Sequence, residues 1–251
     1  LDESISKAVG EHLERYYLAQ YKQEDLQQAS YTEIATKGKC VVSPLAFNGF
    51  LDWQKKLFPE FQSDEDTPFS WVRGKTLNGN KTVILPAQSI FWNFSFKKAE
   101  NEKVLIEPNT NGAAGGFTLE EAILSGLVEV IERDGFLLYW LNTLSPRRIA
   151  VDTLADERFQ EKLAYLKRYN VAYHFLDTTT DTGVPSCICV LVGQDKGEPV
   201  IALGGSAGFD ARAIFESALR EALAIYSFNS GALQLPAITA DYQPFISAHI
   251  S

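Results

Sequence analysis

Two stretches of the chain carry glutamate and arginine at the same spacing. Residues 11–15 and residues 129–133 both read E-x-x-E-R. On a helix this spacing projects both carboxylates and the guanidinium from one face. A face of this kind is either a solvated surface or an anionic site that holds divalent cations.

The two motifs belong to a longer internal repeat. An offset of 118 residues aligns residues 1–15 with residues 119–133 and matches Leu, an acid, Glu, Ile, Glu, Glu and Arg. Agreement at this many positions predicts that one helix occurs twice in the chain. The second copy extends its acidic stripe with Glu121, which lies about three helical turns before Glu132.

The second helix is predicted to be buried. Apart from its acidic stripe it is apolar nearly all round, which is typical of a helix surrounded by neighbours. Desolvating Glu121, Glu129 and Glu132 there would be costly, and Arg133 alone cannot balance them. Magnesium can balance them, and it usually shares its remaining positions with water and nucleotide phosphates.

A loop of small residues precedes this helix. Residues 109–116 read NTNGAAGG, and Thr118 with Glu121 three residues later forms a capping-box pattern. Backbone N–H groups and the positive end of a helix dipole attract anions. Since the sequence has no G-x-x-x-x-G-K-S/T motif, these features predict a nucleoside triphosphate site that is not a P-loop.

At these residues the sequence resembles the YcaO family. The resemblance lies in T-N-G-A-A-G at residues 110–115, E-E-A at 120–122 and E-V-I-E-R-D at 129–134. The earlier E-x-x-E-R motif, the glycine pair before Ser206 and A-L-R-E at residues 218–221 are also similar to the family pattern. The resemblance covers most of the chain.

The resemblance implies an unusual site for ATP and Mg²⁺. The implied magnesium ligands are Glu11, Glu14, Glu121, Glu129 and Glu132. The implied nucleotide-binding residues are Arg15, Asn111, Arg133 and Glu221. Arg212, Glu216 and Arg220 either complete this site or form a salt-bridged helix surface. The chain departs from the family pattern at Lys7, Ala114 and Ser125, where many members have serine, serine and glutamine.

The resemblance also implies a reaction, which is ATP-driven activation of a peptide amide oxygen. The product is an azoline ring formed from Cys, Ser or Thr of a ribosomally made precursor peptide, or a thioamide. A separate leader-peptide-binding protein is an expected partner, and a homodimer is left open. No catalytic base is identified, because His12 is expected to be an ordinary packed or exposed helix residue.

Two other functions fit the same residues. One is a non-catalytic ATP-binding partner of a modification complex, which the three departures from the family pattern motivate. The other is an acidic domain that binds Ca²⁺ structurally, for which metal binding would be indifferent to ATP.

Helices and strands must position these residues. Hydrophobic periodicity predicts helices at residues 1–21, 118–141, 155–168 and 210–227 and strands at 82–85, 89–96, 149–151, 171–176, 187–192 and 200–203. A turn is predicted at residues 204–206. The pattern predicts an α+β fold with mixed sheets, helices packed on one face and internally repeated helix–sheet units. We expect residues 1–251 to form a single YcaO-like ATP-binding unit, incomplete at its termini.

Composition excludes several classes of protein. The chain has 251 residues, of which 45% are hydrophobic and 22% charged, as in globular proteins. Its net charge of −9 argues against nucleic-acid binding. Apolar runs are far shorter than the roughly 20 residues of a membrane span, so we expect no membrane segment and a cytoplasmic location.

Cysteine and methionine usage is also informative. Cys40, Cys187 and Cys189 form no zinc-type cluster with the three histidines, and the C-x-C pair predicts a buried strand. The sequence lacks methionine and starts at Leu1, from which we expect that it is part of a longer gene product.

Overall fold

The computed structural model describes residues 2–35, 39–78, 81–94, 102–107, 109–154, 156–195 and 197–230. The chain divides into two compact units, Leu1–Gly126 and Leu127–Ser251. The boundary falls inside one helix, so each unit contains part of it. Each unit also contains one four-stranded sheet built from the described residues.

The first unit begins with a helix and continues into a mixed sheet. Its helices are α1 (Asp2–Leu18), α2 (Tyr31–Ala35) and α3 (Asp52–Leu57). Its strands are β1 (Gln27–Ala29), β2 (Cys40–Val41), β3 (Phe69–Lys75) and β4 (Thr82–Pro86). They are arranged in the order β1-β3-β4-β2, with β2 parallel to β4 and the other pairs antiparallel.

Aromatic and branched side chains form the core of the first unit. Phe69 and Trp71 of β3 are buried with Ile34 of α2, Ile84 of β4 and Leu105. The indole N–H of Trp71 donates to the carbonyl oxygen of Ala29 at 2.8 Å, which satisfies its buried polar group.

The second unit contains an antiparallel sheet. The long helix α4 (Leu119–Leu141) enters it from the first unit and is followed by β5 (Arg147–Ile149), α5 (Glu157–Arg168), β6 (Ala172–Asp177), β7 (Ser186–Asp195), β8 (Glu198–Ala207) and α6 (Ala211–Asn229). The strands lie in the order β5-β6-β7-β8. The predicted α+β class with mixed sheets is confirmed.

The core of the second unit lies between one face of this sheet and two helices. Cys187, Cys189 and Leu191 point to the same face because alternate residues of a strand share a face. Phe159 of α5 and Leu219 of α6 pack against them. Burying each of the leucine and phenylalanine side chains contributes about 1.5–3 kcal/mol. The prediction of a buried C-x-C strand is confirmed.

Side chains of α6 also bind the backbone at the outer edge of β8. Glu221 accepts a hydrogen bond from the N–H of Gly205 at 3.0 Å. The side-chain amide of Asn229 donates to the carbonyl oxygen of Ile201 at 3.1 Å. Two backbone groups of the edge strand therefore have side-chain partners.

Two predicted elements are wrong. Residues 204–206 are not a turn but continue β8, where they pair with residues 187–189 of β7. The strand predicted at residues 89–96 is absent from its described part, because Pro86 ends β4 and residues 87–89 form a 3-10 turn. Residues 95 and 96 lie outside the described residues. The helix predicted from residue 155 begins at Glu157, because Asp156 caps it by accepting from the N–H of Phe159.

The predicted burial of α4 is also wrong. Only Gly126 and Gly135 of this helix are fully buried. Leu127 and Trp140 are 46% and 64% exposed. The apolar residues are distributed around the helix, whereas the described residues cover it closely only at these two glycines. Among the described residues, no helix is long and apolar enough to cross a membrane.

Candidate functional site

The first E-x-x-E-R motif lies on the last two turns of α1. Arg15 Nη2 donates to Glu11 Oε1 at 2.6 Å, and both side chains are about half exposed. Their pairing across one helical turn is the i,i+4 contact that the spacing predicts. His12 is exposed on the same helix.

Glu14 connects α1 with the small-residue loop of the same unit. Its Oε2 accepts a hydrogen bond from the N–H of Gly115 at 3.0 Å. Partial burial raises the pKa of Glu14, although the Gly115 hydrogen bond acts in the opposite direction and lowers it. The neighbouring Glu11 carboxylate adds to the increase.

The loop folds tightly and lies against α4. Gly112 has φ of 82°, a conformation that side chains other than hydrogen disfavour. A Cβ atom on Gly126 would lie 2.5 Å from the carbonyl oxygen of Gly112, so this contact requires glycine in the helix. Asn111 is exposed, and its N–H donates to the side chain of Asn109 at 3.1 Å.

Thr118 caps α4 as predicted. Its hydroxyl accepts from the N–H of Glu121 at 3.2 Å, and Glu121 Oε2 accepts from the N–H of Phe117 at 2.9 Å. Together with the Gly115 contact, this shows that loop N–H groups already bind two carboxylates of the chain, Glu14 and Glu121. These backbone N–H groups therefore bind anionic groups of the chain itself, and binding of phosphate there stays a prediction.

In the second unit, Glu132 holds a largely desolvated carboxylate. Its side chain is 17% exposed, and Arg133 Nε lies 3.8 Å from its Oε1. Desolvation raises the pKa of Glu132 to about 7, and repulsion from Glu221 and Glu129 adds to this, while Arg133 lowers it. Arg133 therefore offsets only part of the effect of burial and of the neighbouring carboxylates on Glu132.

Glu132 and Glu221 meet at β8. A Cβ atom on Gly205 would lie 2.6 Å from Glu132 Oε1. The N–H of the same glycine donates to Glu221. One backbone position thus contacts a carboxylate from α4 and a carboxylate from α6. Glu129 is half-buried one turn before Glu132.

Two candidate site residues of α6, one arginine and one glutamate, form salt bridges with α5 and its N-cap residue. Arg212 Nε lies 2.6 Å from Asp156 Oδ2, and Glu216 forms ion pairs with Lys162 and Arg212. These contacts join the first turns of α6 to α5. Arg220 donates to Ser217. The salt-bridged surface is the better interpretation for Arg212 and Glu216.

Sequence reasoning missed the glycines that permit these contacts. Gly126 and Gly135 are isolated within a helical pattern, which is a signal of close packing. A Cβ atom on Gly135 would lie 2.5 Å from the carbonyl oxygen of Thr178. For Gly205 the sequence predicts only a turn. Each of these positions is visible in the sequence, but its partner is not.

Comparison with known proteins identifies the family. The family model described as YcaO cyclodehydratase, ATP- and Mg²⁺-binding, matches residues 1–247. The chain belongs to the YcaO cyclodehydratase family. An uncharacterized protein of Methanothermobacter thermautotrophicus is 29% identical over 140 residues, which are 56% of this chain and 36% of the relative.

Solved YcaO-type structures share the fold. A heterocyclase in complex with substrate and cofactor has a TM-score of 0.75 at 22% identity, covering 94% of this chain and 32% of the other. The E. coli microcin synthetase McbBCD complex with pro-MccB17 bound has a TM-score of 0.73 at 21% identity, covering 98% and 62%. YcaO from Methanopyrus kandleri bound with AMPPCP and Mg²⁺ has a TM-score of 0.61 at 19% identity, covering 96% and 56%. The match to the Methanothermobacter relative spans about a third of that protein's length.

The predicted site residues of this chain fit the cofactors of the family, ATP and Mg²⁺. The predicted ligands are carboxylates, the hard oxygen donors that magnesium prefers. Burial raises the pKa of Glu132, repulsion from Glu221 and Glu129 adds to this, and a bound cation would stabilise its ionised form. Within the described ranges, no three His, Cys, Asp or Glu side chains are grouped to hold a metal ion. Magnesium usually takes one or two carboxylates and completes its shell with phosphate and water, so the donor chemistry still fits.

Proposed function

We propose that the protein activates peptide backbone amides with ATP and Mg²⁺. The products would be azoline heterocycles made from Cys, Ser or Thr of a ribosomally made precursor peptide, or thioamides. The observation that carries the proposal is the match of the YcaO cyclodehydratase model to residues 1–247. The desolvated carboxylate of Glu132, with Glu221 and Glu129 close enough to repel it, supports the proposal independently.

We assign the nine predicted site residues to the cofactors. Glu11, Glu14, Glu121, Glu129 and Glu132 would hold magnesium, and Arg15, Asn111, Arg133 and Glu221 would bind the nucleotide. In the second unit, Glu132 supplies a carboxylate that is already largely desolvated, which strengthens its attraction for a cation. In the first unit, the contact with Gly115 holds Glu14 in one orientation.

Bound Mg-ATP would supply the phosphoryl group that activates the amide oxygen once a nucleophile has added to the amide carbon. Arg15 and Arg133 are exposed cations beside the carboxylates of their motifs, and each would contribute positive charge towards phosphate oxygens. The glutamates would keep the metal in place through charge and orientation.

A peptide substrate and a partner protein follow from the same proposal. The heterocyclase structure contains a substrate, and the microcin synthetase structure is a complex with pro-MccB17 bound. By analogy we propose that this protein acts on a precursor peptide with a separate leader-peptide-binding protein. We also propose that residues 1–251 serve as one ATP-binding unit.

Calorimetric titration of ATP into the full chain, with and without Mg²⁺, tests the proposal. We expect Mg-dependent binding that weakens about tenfold or more in Glu129→Gln. Glu120→Gln is the matched control, because Glu120 is an exposed residue of the same helix outside the predicted ligand set. Binding that is absent from the wild type, or equally reduced in the control, would contradict the assignment.

Mass spectrometry of a candidate precursor peptide then separates the products. Loss of one water per modified residue indicates an azoline, whereas exchange of oxygen for sulfur indicates a thioamide. ATP binding without turnover, with peptide and partner both present, would instead support the non-catalytic ATP-binding role.

A further inference from the structure

Gly205 contacts two carboxylates through different parts of its backbone. A Cβ atom at this position would lie 2.6 Å from Glu132 Oε1 and 3.0 Å from its carboxyl carbon. The N–H of Gly205 donates to Glu221 Oε2 at 3.0 Å. The residue therefore both leaves space for one carboxylate and binds the other.

The two carboxylates come from helices that lie on opposite faces of the sheet. Consecutive strand residues point to opposite faces. A Cβ atom on Gly204 would meet the α6 backbone, with Ala218 O and Ala222 N both at 2.3 Å, whereas one on Gly205 would meet Glu132 of α4. Glu221 reaches the outer edge of β8 from α6 and meets Glu132 there, close enough for repulsion between them.

Backbone conformation does not explain the glycine at position 205. Among the described residues, the glycines with positive φ are Gly112, Gly183, Gly197 and Gly208, and Gly205 is not one of them. Gly205 pairs with Ile188 in the regular β7–β8 ladder. Any residue can adopt such a conformation, so the space required by Glu132 is the remaining reason.

We propose that Gly205 is a positioning residue for Mg-ATP binding. Its missing side chain determines where the Glu132 carboxylate lies, and its N–H fixes the orientation of Glu221. This inference rests on the proposed function, because it assigns both carboxylates to the cofactor site. A side chain at position 205 would displace the Glu132 carboxylate from its present position.

The test compares Gly205→Ala with Gly193→Ala in the full chain. Gly193 is a matched control, because it lies in β7 of the same sheet. Its added Cβ would meet the Tyr226 side chain rather than either carboxylate. At fixed ATP, calorimetry gives the Mg²⁺ concentration for half-maximal binding. We expect this midpoint to rise about tenfold or more in Gly205→Ala and to stay near the wild-type value in Gly193→Ala.

A rescue variant separates positioning from general damage. Glu132→Asp shortens the side chain by one methylene and withdraws the carboxylate from position 205. In the Gly205→Ala/Glu132→Asp protein, we expect the combined effect on the Mg²⁺ midpoint and on the thermal unfolding midpoint to be smaller than the sum of the single effects. If Gly205→Ala does not fold alone, folding of the double variant supports the contact, and its failure to fold overturns the inference.

The outcomes distinguish this inference from the proposed function. A wild-type protein that binds no Mg-ATP would refute the proposed function and the positioning role that depends on it. A wild-type protein that binds, with an unchanged midpoint in Gly205→Ala or with additive effects in the double variant, would refute the positioning role alone.

Discussion

Glu14 Oε2 accepts a hydrogen bond from the N–H of Gly115 at 3.0 Å, which joins α1 to the loop before α4. The two residues are 101 positions apart in the chain. A carboxylate of the first E-x-x-E-R motif therefore holds the small-residue loop that precedes the second motif.

Removal of this carboxylate is expected to loosen the loop. In Glu14→Ala, the Gly115 amide loses its acceptor, which costs about 1 kcal/mol and corresponds to about fivefold faster amide exchange. Hydrogen exchange of peptides covering residues 109–116 measures this. Glu11→Ala is the control, because Glu11 pairs with Arg15 rather than with the loop. Equal exchange in all three proteins would show that the contact does not order the loop.

Two helical glycines should respond to alanine in opposite directions. Gly126→Ala would place Cβ against the Gly112 carbonyl oxygen, and overpacking of this kind costs about 1–3 kcal/mol. Gly10→Ala adds a Cβ that no described atom beyond its own helical turn approaches within 4 Å, so it should stabilise α1 by about 0.5–1 kcal/mol. Thermal unfolding midpoints measure both changes. A lower midpoint in Gly10→Ala, or an unchanged one in Gly126→Ala, would contradict the packing.

The three cysteines should differ in reactivity. Burial raises the pKa of Cys187 and of Cys189 to about 12, so both remain neutral thiols at pH 8. Cys40 is exposed. Titration of the folded protein with a thiol reagent should therefore detect one fast cysteine, and denaturation should reveal all three. Cys40→Ser should remove the fast phase. Rapid reaction of three thiols in the folded protein would rule out the buried strand.

Asp177 should contribute stability that depends on pH. Burial raises its pKa, but hydrogen bonds from Thr179 and the Arg147 guanidinium outweigh this and hold the pKa below its usual value. A depressed pKa stabilises the fold above the unfolded value of about 3.9, and this contribution is lost as pH falls through the folded value.

Thermal unfolding of Asp177→Asn at several pH values tests this. The variant should be less stable than the wild type at pH 7, by less than about 1 kcal/mol because the ion pair with Arg147 is at the surface. The difference should disappear at the acidic end of the series. Asp181→Asn, at an exposed turn, is the control for the general effect of replacing an aspartate by asparagine. A constant difference for Asp177→Asn across the series would count against the linkage.

The elements that the sequence predicts well are those whose signals are local. The Thr118 cap predicts where α4 begins, and the apolar pattern predicts its end at residue 141. Aromatic and apolar residues locate β6, and β-branched residues locate β7, each within a few residues. The resemblance identifies the family that the comparison confirms. These features depend on neighbours in sequence, so one chain is enough to recognise them.

Other features depend on contacts between distant residues. Gly204 and Gly205 predict a turn because glycine favours turns. In the structure these positions require glycine because α6 approaches Gly204 closely and Glu132 approaches Gly205 closely. An apolar helix is expected to be buried, yet Leu127 is 46% exposed. Local composition indicates which backbone conformations and environments a residue can adopt, but it does not identify the distant residue that packs against it.

The bond from Gly205 to Glu221 also matters for solubility. An unpaired N–H on an edge strand is a template for pairing with another chain, and Glu221 occupies this one. Glu221→Ala would therefore expose part of the β8 edge, and aggregation of that variant could be misread as loss of catalysis. Glu221→Gln retains an acceptor oxygen for Gly205 while removing the charge, so it is the substitution that reports on chemistry rather than on self-association.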